Sequence, residues 1–361
     1  MKKAVMLGAL AAAFVAFAAP AASAAQGDSA NGAVYTLTNA ASGNGVATFS
    51  RSAGGTLSLV ATYATGGNGT GANLGSQGSV ALSDNGKLLF AVNAGSNSIS
   101  EFAVRADGLK LVTTFSSNGA LPTSITVHDN LLYVLDAGAK SISGYKIDGQ
   151  GRVESLDGST QPLLGTNPAQ ISFSPDGSTL VVTEKGTSTL DTFQVGPHGA
   201  AQPGVSSVSA GGTPFGFQFD SLGRAFVSEA AGSASSYAID ASGAHAISGA
   251  VVTHQAAPCW LVVTPDGRFA YTANAGAGSI SGFSIAADGS IALLNASGAT
   301  GSFGAGSHPL DEAISSDGRF LYVLVDGHHT IGGFGINADG SLTPLGEVGT
   351  LPAGAVGLAS S

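Results

Sequence analysis

Residues 132–145 read LYVLDAGAKSISGY: an apolar run broken at Asp136, a Gly-rich turn, then an alternating run that ends on Tyr145. β-branched and aromatic residues alternate with small or polar ones, as half-buried strands require, and the Asp-Ala-Gly segment reverses the chain between them. The phrase is therefore two strands and a hairpin. Six further copies end at Phe49, Phe102, Phe193, Tyr237, Phe283 and Phe334, so successive aromatic ends lie 53, 43, 48, 44, 46 and 51 residues apart. A recurrence of that length is the period of a propeller blade.

Two further phrases complete each unit. Upstream stands a Pro with an alternating apolar run and an Asp-Gly type turn, as in NPAQISFSPDG, APCWLVVTPDG and HPLDEAISSDG, where Pro168, Pro258 and Pro309 precede Asp176, Asp266 and Asp317 by eight residues. Pro122 and Pro214 keep the register with altered turns, and Gln77 replaces the Pro before Ser83-Asp84-Asn85-Gly86. Downstream come a second turn, such as Asp107-Gly108 or Asp339-Gly340, and a last strand. This punctuation predicts an all-β, seven-bladed propeller with four-stranded antiparallel blades. The first copy lacks an upstream strand, whereas the last is followed by a spare segment from Leu351 to Leu358. That segment is expected to close the ring as the innermost strand of the N-terminal blade, removing the free edges that would aggregate.

The start of the chain differs in kind. Met1-Lys2-Lys3, the apolar Ala4–Ala19 run and Ala22-Ser23-Ala24 have the form of a secretory signal peptide, too short to span a bilayer comfortably. The expected organisation is a signal peptide over 1–24, a linker over 25–32 and the propeller over 33–361, placing the mature protein in the periplasm or outside the cell. Cys259 is the sole cysteine, so no internal disulfide is available, and a continuous ring needs none. Without Lys2 and Lys3 the balance is 11 basic to 23 acidic residues, a formal charge of −12. Nucleic acid and anionic membrane surfaces are thereby disfavoured as partners, and a closed ring makes a monomer the default.

Strand parity assigns chemistry to faces. The loops before each Pro and the turns between second and third strands share one face, and the Asp-Gly hairpins share the other. The first face receives the residue ending each second strand: Asn39, Asn93, Asp136, Glu184, Glu229, Asn274 and Asp326. These acids and amides are expected to point to one mouth of the channel, where propeller sites gather. The bland reading is that they fix turns through backbone amides, most readily for the Asn residues, since Glu reaches too far for an Asx turn. Such a ring would also suit Ca²⁺ or Mg²⁺, but no DxDxDG loop is present and no cofactor is expected. His254, His308 and His328 fall on the same face, with Asp311, Glu312 and Trp260 near inner strands. Glu312 takes a register held elsewhere by Val80, Ile125, Ile171, Phe217 and Leu261, so an acid replaces a core residue, which costs several kcal/mol or raises its pKa. Trp260 reads either as packing or as a platform for a sugar ring.

The phrases LYVLDAGAKSISGY, FAYTANAGAGSISGF and SPDGSTLVVTE resemble the seven-bladed β-propeller lactonase family, which includes 6-phosphogluconolactonase and the fungal carboxymuconate cyclases. The likeness covers about residues 33–360 and implies hydrolysis or formation of an intramolecular ester at the channel mouth. Such chemistry needs a base for water, an oxyanion donor and groups that hold the ring. Glu184, Glu229, Glu312 and His254 are candidate bases, His308 a candidate donor, and Asn93, Asp136, Trp260, Asn274, Asp311, Asp326 and His328 candidate substrate contacts. Arg224, Arg268, Arg319, Lys87 and Arg152 fall at the opposite hairpins and only Lys140 and Lys185 at the mouth, which disfavours phosphorylated or tricarboxylate substrates. A neutral lactone fits the charge pattern. The other function class is a non-catalytic propeller that binds a glycan, peptide or envelope partner through the same mouth.

Overall fold

A computed structural model describes Met1 and residues 32–361; the expected signal peptide and nearly all of the linker lie outside the described residues. Seven antiparallel sheets form a ring. Blade 1 runs from its outer edge through Leu57–Ala64, Gly45–Arg51 and Gly32–Leu37 to the C-terminal Val356–Ser360 as its inner strand. Blades 2 to 7 have the inner strands Val80–Leu82, Pro122–His128, Pro168–Phe173, Pro214–Phe219, Pro258–Val263 and Pro309–Ile314, each followed outward in chain order. The expected closure is present: Val34 pairs with Ser360 and Leu37 with Val356. Arg51, 2% exposed, reinforces it by donating to the Ser361 carbonyl at 3.2 Å and pairing with Asp317 of blade 7 at 3.3 Å.

Blades 3 and 6 depart from four strands. Their outer strand is split into Val153–Ser155 plus Gln161–Pro162, and Ile291–Leu293 plus Gly301–Ser302, both pieces pairing with the same neighbour. A hydroxyl fills each gap: the amide of Gly144 donates to Ser159 Oγ and that of Gly282 to Thr300 Oγ1, both at 2.9 Å. The backbone donor is satisfied without a ladder partner, so the break is tolerated.

The aromatic ends of the seven phrases are the core. Phe49, Phe102, Tyr145, Phe193, Tyr237, Phe283 and Phe334 are all buried, and each contributes on the order of 1.5–3 kcal/mol by leaving water. Second-strand tyrosines then latch neighbouring blades. Tyr133, Tyr271 and Tyr322 donate to the carbonyls of Gly199, Gly340 and Gly55, each in the outer hairpin of the next blade. The arginines of the hairpin face act likewise: Arg224, Arg268 and Arg319 pair with Asp220, Asp266 and Asp317 and donate onward to the carbonyls of Ala287, Ala338 and Ala53. Their charge is directed along the ring, away from its axis.

Candidate functional site

The two ends of the channel differ. At the face of the Pro loops the segment Gly75-Ser76-Gln77-Gly78 dives into the axis, turned by left-handed glycines at φ +60° and +82°, a region that Gly occupies without Cβ strain. Hydrogen bonds from three other blades hold it. Ser76 Oγ donates to the Thr123 carbonyl of blade 3 at 2.9 Å, and the Gln77 amide to the Ala169 carbonyl of blade 4 at 3.1 Å. Lys185 Nζ donates to the Gly75 carbonyl while lying 4.7 Å from the Phe215 ring centroid of blade 5, and the Trp260 indole of blade 6 donates to the Ser76 carbonyl at 2.9 Å. The Gln77 carboxamide reaches across the channel and pairs with both the amide and the carbonyl of Leu261, at 3.0 and 2.8 Å.

The hairpin end is open. A cavity of about 530 Å³ runs inward from it, a size typical of small-molecule sites. Its polar lining comes mainly from Gln77, Thr126, Gln170, Ser172, Gln218, Thr264, Ser315 and Ser360, with Asp220 and Glu312 as the acidic members and no Arg, Lys or His. Several of these side chains also lace the inner strands. Gln170 pairs with both backbone groups of Phe217, at 2.9 and 2.7 Å, and Gln218 Oε1 accepts from the Val263 amide at 2.7 Å while its residue stays exposed to the cavity. The mouth at the Pro loops, where the sequence placed the site, is filled by the Gly75–Gly78 segment, and the cavity opens among the Asp-Gly hairpins.

The ring of acids and amides does not converge. Asn93, Asp136, Glu184 and Glu229 are buried beneath glycines of the preceding interblade loop, Gly67, Gly119, Gly165 and Gly211, whereas Asn39 is held by the loop that follows its blade and Asp326 is half-buried. Asn93 donates to Ser98 and Ser100, and Asn274 to Ser279 and Ser281. Asn39 bridges Thr70, Ala72 and Gly354. Glu229 accepts from Gly211 N at 3.0 Å, Ser233 Oγ at 2.5 Å, and Ser209 and Tyr237 at 3.4 Å. A Cβ added at Gly119 or Gly165 would fall 2.4 Å from Asp136 or 2.8 Å from Glu184, so these acids are sealed beneath glycines. Asp326 opens a short 3₁₀ turn with His328, whose Nδ1 lies 3.0 Å from Glu347. His254 and His308 are exposed on interblade loops, His308 Nδ1 lying 3.2 Å from the Ala275 carbonyl. Among the described residues no hydrogen bond or ion pair joins these histidines to Glu184, Glu229 or Glu312, and no three His, Cys, Asp or Glu gather as metal ligands. Trp260 is 3% exposed, packs on Phe215 at 4.8 Å between centroids, and does not line the cavity.

Burial tunes the remaining acids. Glu312, 3% exposed, has its pKa raised well above the ordinary value, first by desolvation and then by Asp311, with the Ala273 amide offsetting a part. Asp311 is pushed up to about 7 by desolvation, against the pull of the Gly357 and Gly78 amides. Glu184 rises to about 8, through desolvation and then the buried Asp191 beside it, with Lys185 and Lys140 opposing. Blade 4 thus carries Glu and Asp where blades 2 and 6 carry Asn93 with Ser100 and Asn274 with Ser281. Asp136 rises to about 7 by desolvation, partly offset by Ser117. Of the expected catalytic set, Glu312 alone lies on a cavity-lining strand. Gln77, Lys185, Gln170 and Gln218 were not among the expected site residues; for Gln77 the signal was visible, a Gln where the repeat has Pro.

A family model described as a seven-bladed β-propeller lactonase matches residues 29–162 and 225–313, more than half of the chain. The chain belongs to that lactonase family. No curated protein sequence matches it. Among solved structures, a candidate 6-phosphogluconolactonase of Bacteroides fragilis is 19% identical with a TM-score of 0.72, covering 91% of this chain and 98% of its own. The periplasmic gluconolactonase of Pseudomonas aeruginosa is 18% identical with a TM-score of 0.68, covering 91% and 99%. A Lactobacillus plantarum protein is 17% identical with a TM-score of 0.75, covering 91% and 99%. At these identities the structural likeness establishes the lactonase fold, and the site chemistry must be argued from this chain's own residues.

Proposed function

We propose that this lactonase-family propeller is an exported hydrolase that opens a neutral sugar lactone of the gluconolactone type in its central cavity. The observation that carries the reading is the lining: amides and hydroxyls suited to a polyhydroxylated ring, with no cation to hold a phosphate. The arginines on the open face are committed to Asp partners and to the next blade. The Asp311–Glu312 pair supplies the proton chemistry. Glu312 is the member of the pair that lines the cavity; Asp311, pushed up to about 7, lies behind that lining against the Gly78 and Gly357 amides, and hydrolysis requires its carboxylate to reach a water admitted beside Glu312, from which it takes the proton near neutral pH. The water oxygen bonds to the lactone carbonyl carbon, the ring C–O bond breaks, and the released alkoxide takes a proton from Glu312, which burial keeps protonated. Export rests on the leader pattern of residues 1–24, and likeness to a periplasmic gluconolactonase supports it.

One observation favours a binding propeller instead: the carboxylate oxygens of both acids are shut off from solvent in this structure. The same assay separates the two. Purified mature protein is given D-glucono-1,5-lactone and its 6-phosphate, with Asp311→Asn, Glu312→Gln and Glu229→Gln alongside. The expected result is turnover of the neutral lactone, roughly 100-fold poorer turnover of the phosphate, and loss in the first two variants by a factor of about 100 or more. Binding of the neutral lactone without turnover would replace the hydrolase reading by the binding one.

A further inference from the structure

We propose that Gly75–Gly78 is the specificity plug of the cavity, with Gln77 as the side chain that forms its inner wall, contacts the ligand there and confines ligand access to the hairpin face. The identity of the ligand rests on the lactonase reading above; the plug itself does not.

Three features distinguish this segment from an ordinary interblade loop. Gln77 stands at the repeat position that is Pro122, Pro168, Pro214, Pro258 and Pro309 in the other blades, and only here does the residue at that position cross the axis. Its seat is prepared on the far side. Gly216 holds a register that is Ser124, Gln170, Trp260 and Asp311 elsewhere, and a Cβ there would fall 2.0 Å from Gln77 Oε1. The missing side chain in blade 5 is thus the space that the extra side chain from blade 2 fills. Finally, Gln77 lines the cavity as well as sealing it. Leu261 accepts one of its two carboxamide hydrogens, and the other is a donor available to a hydroxyl or carbonyl oxygen at the inner end. Gln77 is in this way a ligand contact that keeps its own orientation through a strand it does not belong to.

The single Trp of the chain reports on the plug, because the Trp260 indole donates to Ser76. Acrylamide quenching of Trp260 is expected to be weak in the native protein, several-fold stronger in Gln77→Gly, and intermediate in Lys185→Met, which loses the latch to Gly75 but keeps Gln77. Quenching equally strong in all three would overturn the plug. Access is tested by attaching a bulky maleimide to Ser316→Cys, at the open rim, or to Ala256→Cys, on the plugged face; Cys259 is buried and its thiol is pushed up to about 12 by desolvation, so it stays unlabelled. Labelling Ser316→Cys should lower kcat/KM for glucono-1,5-lactone by roughly tenfold or more while labelled Ala256→Cys keeps its activity. The opposite pattern overturns one-sided access. Absence of lactone turnover in every variant would sink the lactonase reading alone, and the quenching series would still decide the plug.

Discussion

Replacing Glu184 by Gln should make the propeller more stable at alkaline pH and leave it nearly unchanged in acid. The carboxyl is fully buried at the end of the second strand of blade 4, its oxygens have no hydrogen-bond partner among the described residues, and it ionises at about 8 instead of near 4.5. Below pH 4.5 both folded and unfolded chains hold the proton. Between pH 4.5 and 8 only the folded chain does, so the native state binds more protons and stability falls as pH rises; above 8 the loss is complete. A displacement of about 3.5 pKa units at about 1.36 kcal/mol per unit amounts to roughly 5 kcal/mol across that window, an upper bound because a charged Glu184 would draw in water or shift toward Lys185. Gln cannot ionise, so the variant lacks this loss. Urea denaturation followed through Trp260 at pH 4.5 to 9 measures it as a stability difference that opens with pH, by up to about 5 kcal/mol at pH 9. Buried acids remote from Glu184 bend both curves equally and cancel, while Asp191 beside it ionises more readily in the variant, which widens the difference in the same direction. A difference independent of pH would refute the reasoning, since it would mean that Glu184 titrates normally in the folded ring.

Deleting the chain from Leu351 onward removes the inner strand of blade 1 and with it buried Leu351, Ala355, Val356 and Leu358, so the whole ring should unfold in one transition at much lower urea, not fray at one end. Limited proteolysis giving a stable six-blade fragment would contradict this. Tyr322→Phe removes the hydroxyl that ties blade 7 to Gly55 of blade 1 and leaves a buried carbonyl without its donor, an expected cost of about 1–3 kcal/mol in the same denaturation assay.

Much of the fold was legible because its determinants are local. Alternation with period two, Asp-Gly turns and an aromatic end recur within each unit, and the spare segment at Leu351–Leu358 announced the closure later seen between Val356–Ser360 and Gly32–Leu37. The candidate site was legible only in part. Glu312 was singled out correctly as an acid in a core register, and it is buried with a raised pKa. The ring from Asn39 to Asp326 lies on the expected face, but its side chains do not gather at the channel mouth. Strand parity says which end of a blade a residue occupies, whereas the serines and glycine loops that pin Asn93, Glu229 and Asn274 decide where the side chain turns. The same limit applied to charge: Arg224, Arg268 and Arg319 do sit at the hairpins, and only their Asp partners and the carbonyls of the next blade reveal that they are spent on holding the ring.

By itself the sequence determined seven blades, their hairpins, the closing strand and the place of each side chain along the axis, all consequences of contacts within one repeat or between its neighbours. Which end of the channel is open was decided only in the tertiary structure. The deciding contacts join Ser76 to Trp260 and Gln77 to Leu261, partners 184 residues apart, and they form because blade 5 leaves a gap at Gly216 that blade 2 fills. A repeat encodes what its copies share; the plug arises where two distant copies depart from it in complementary ways.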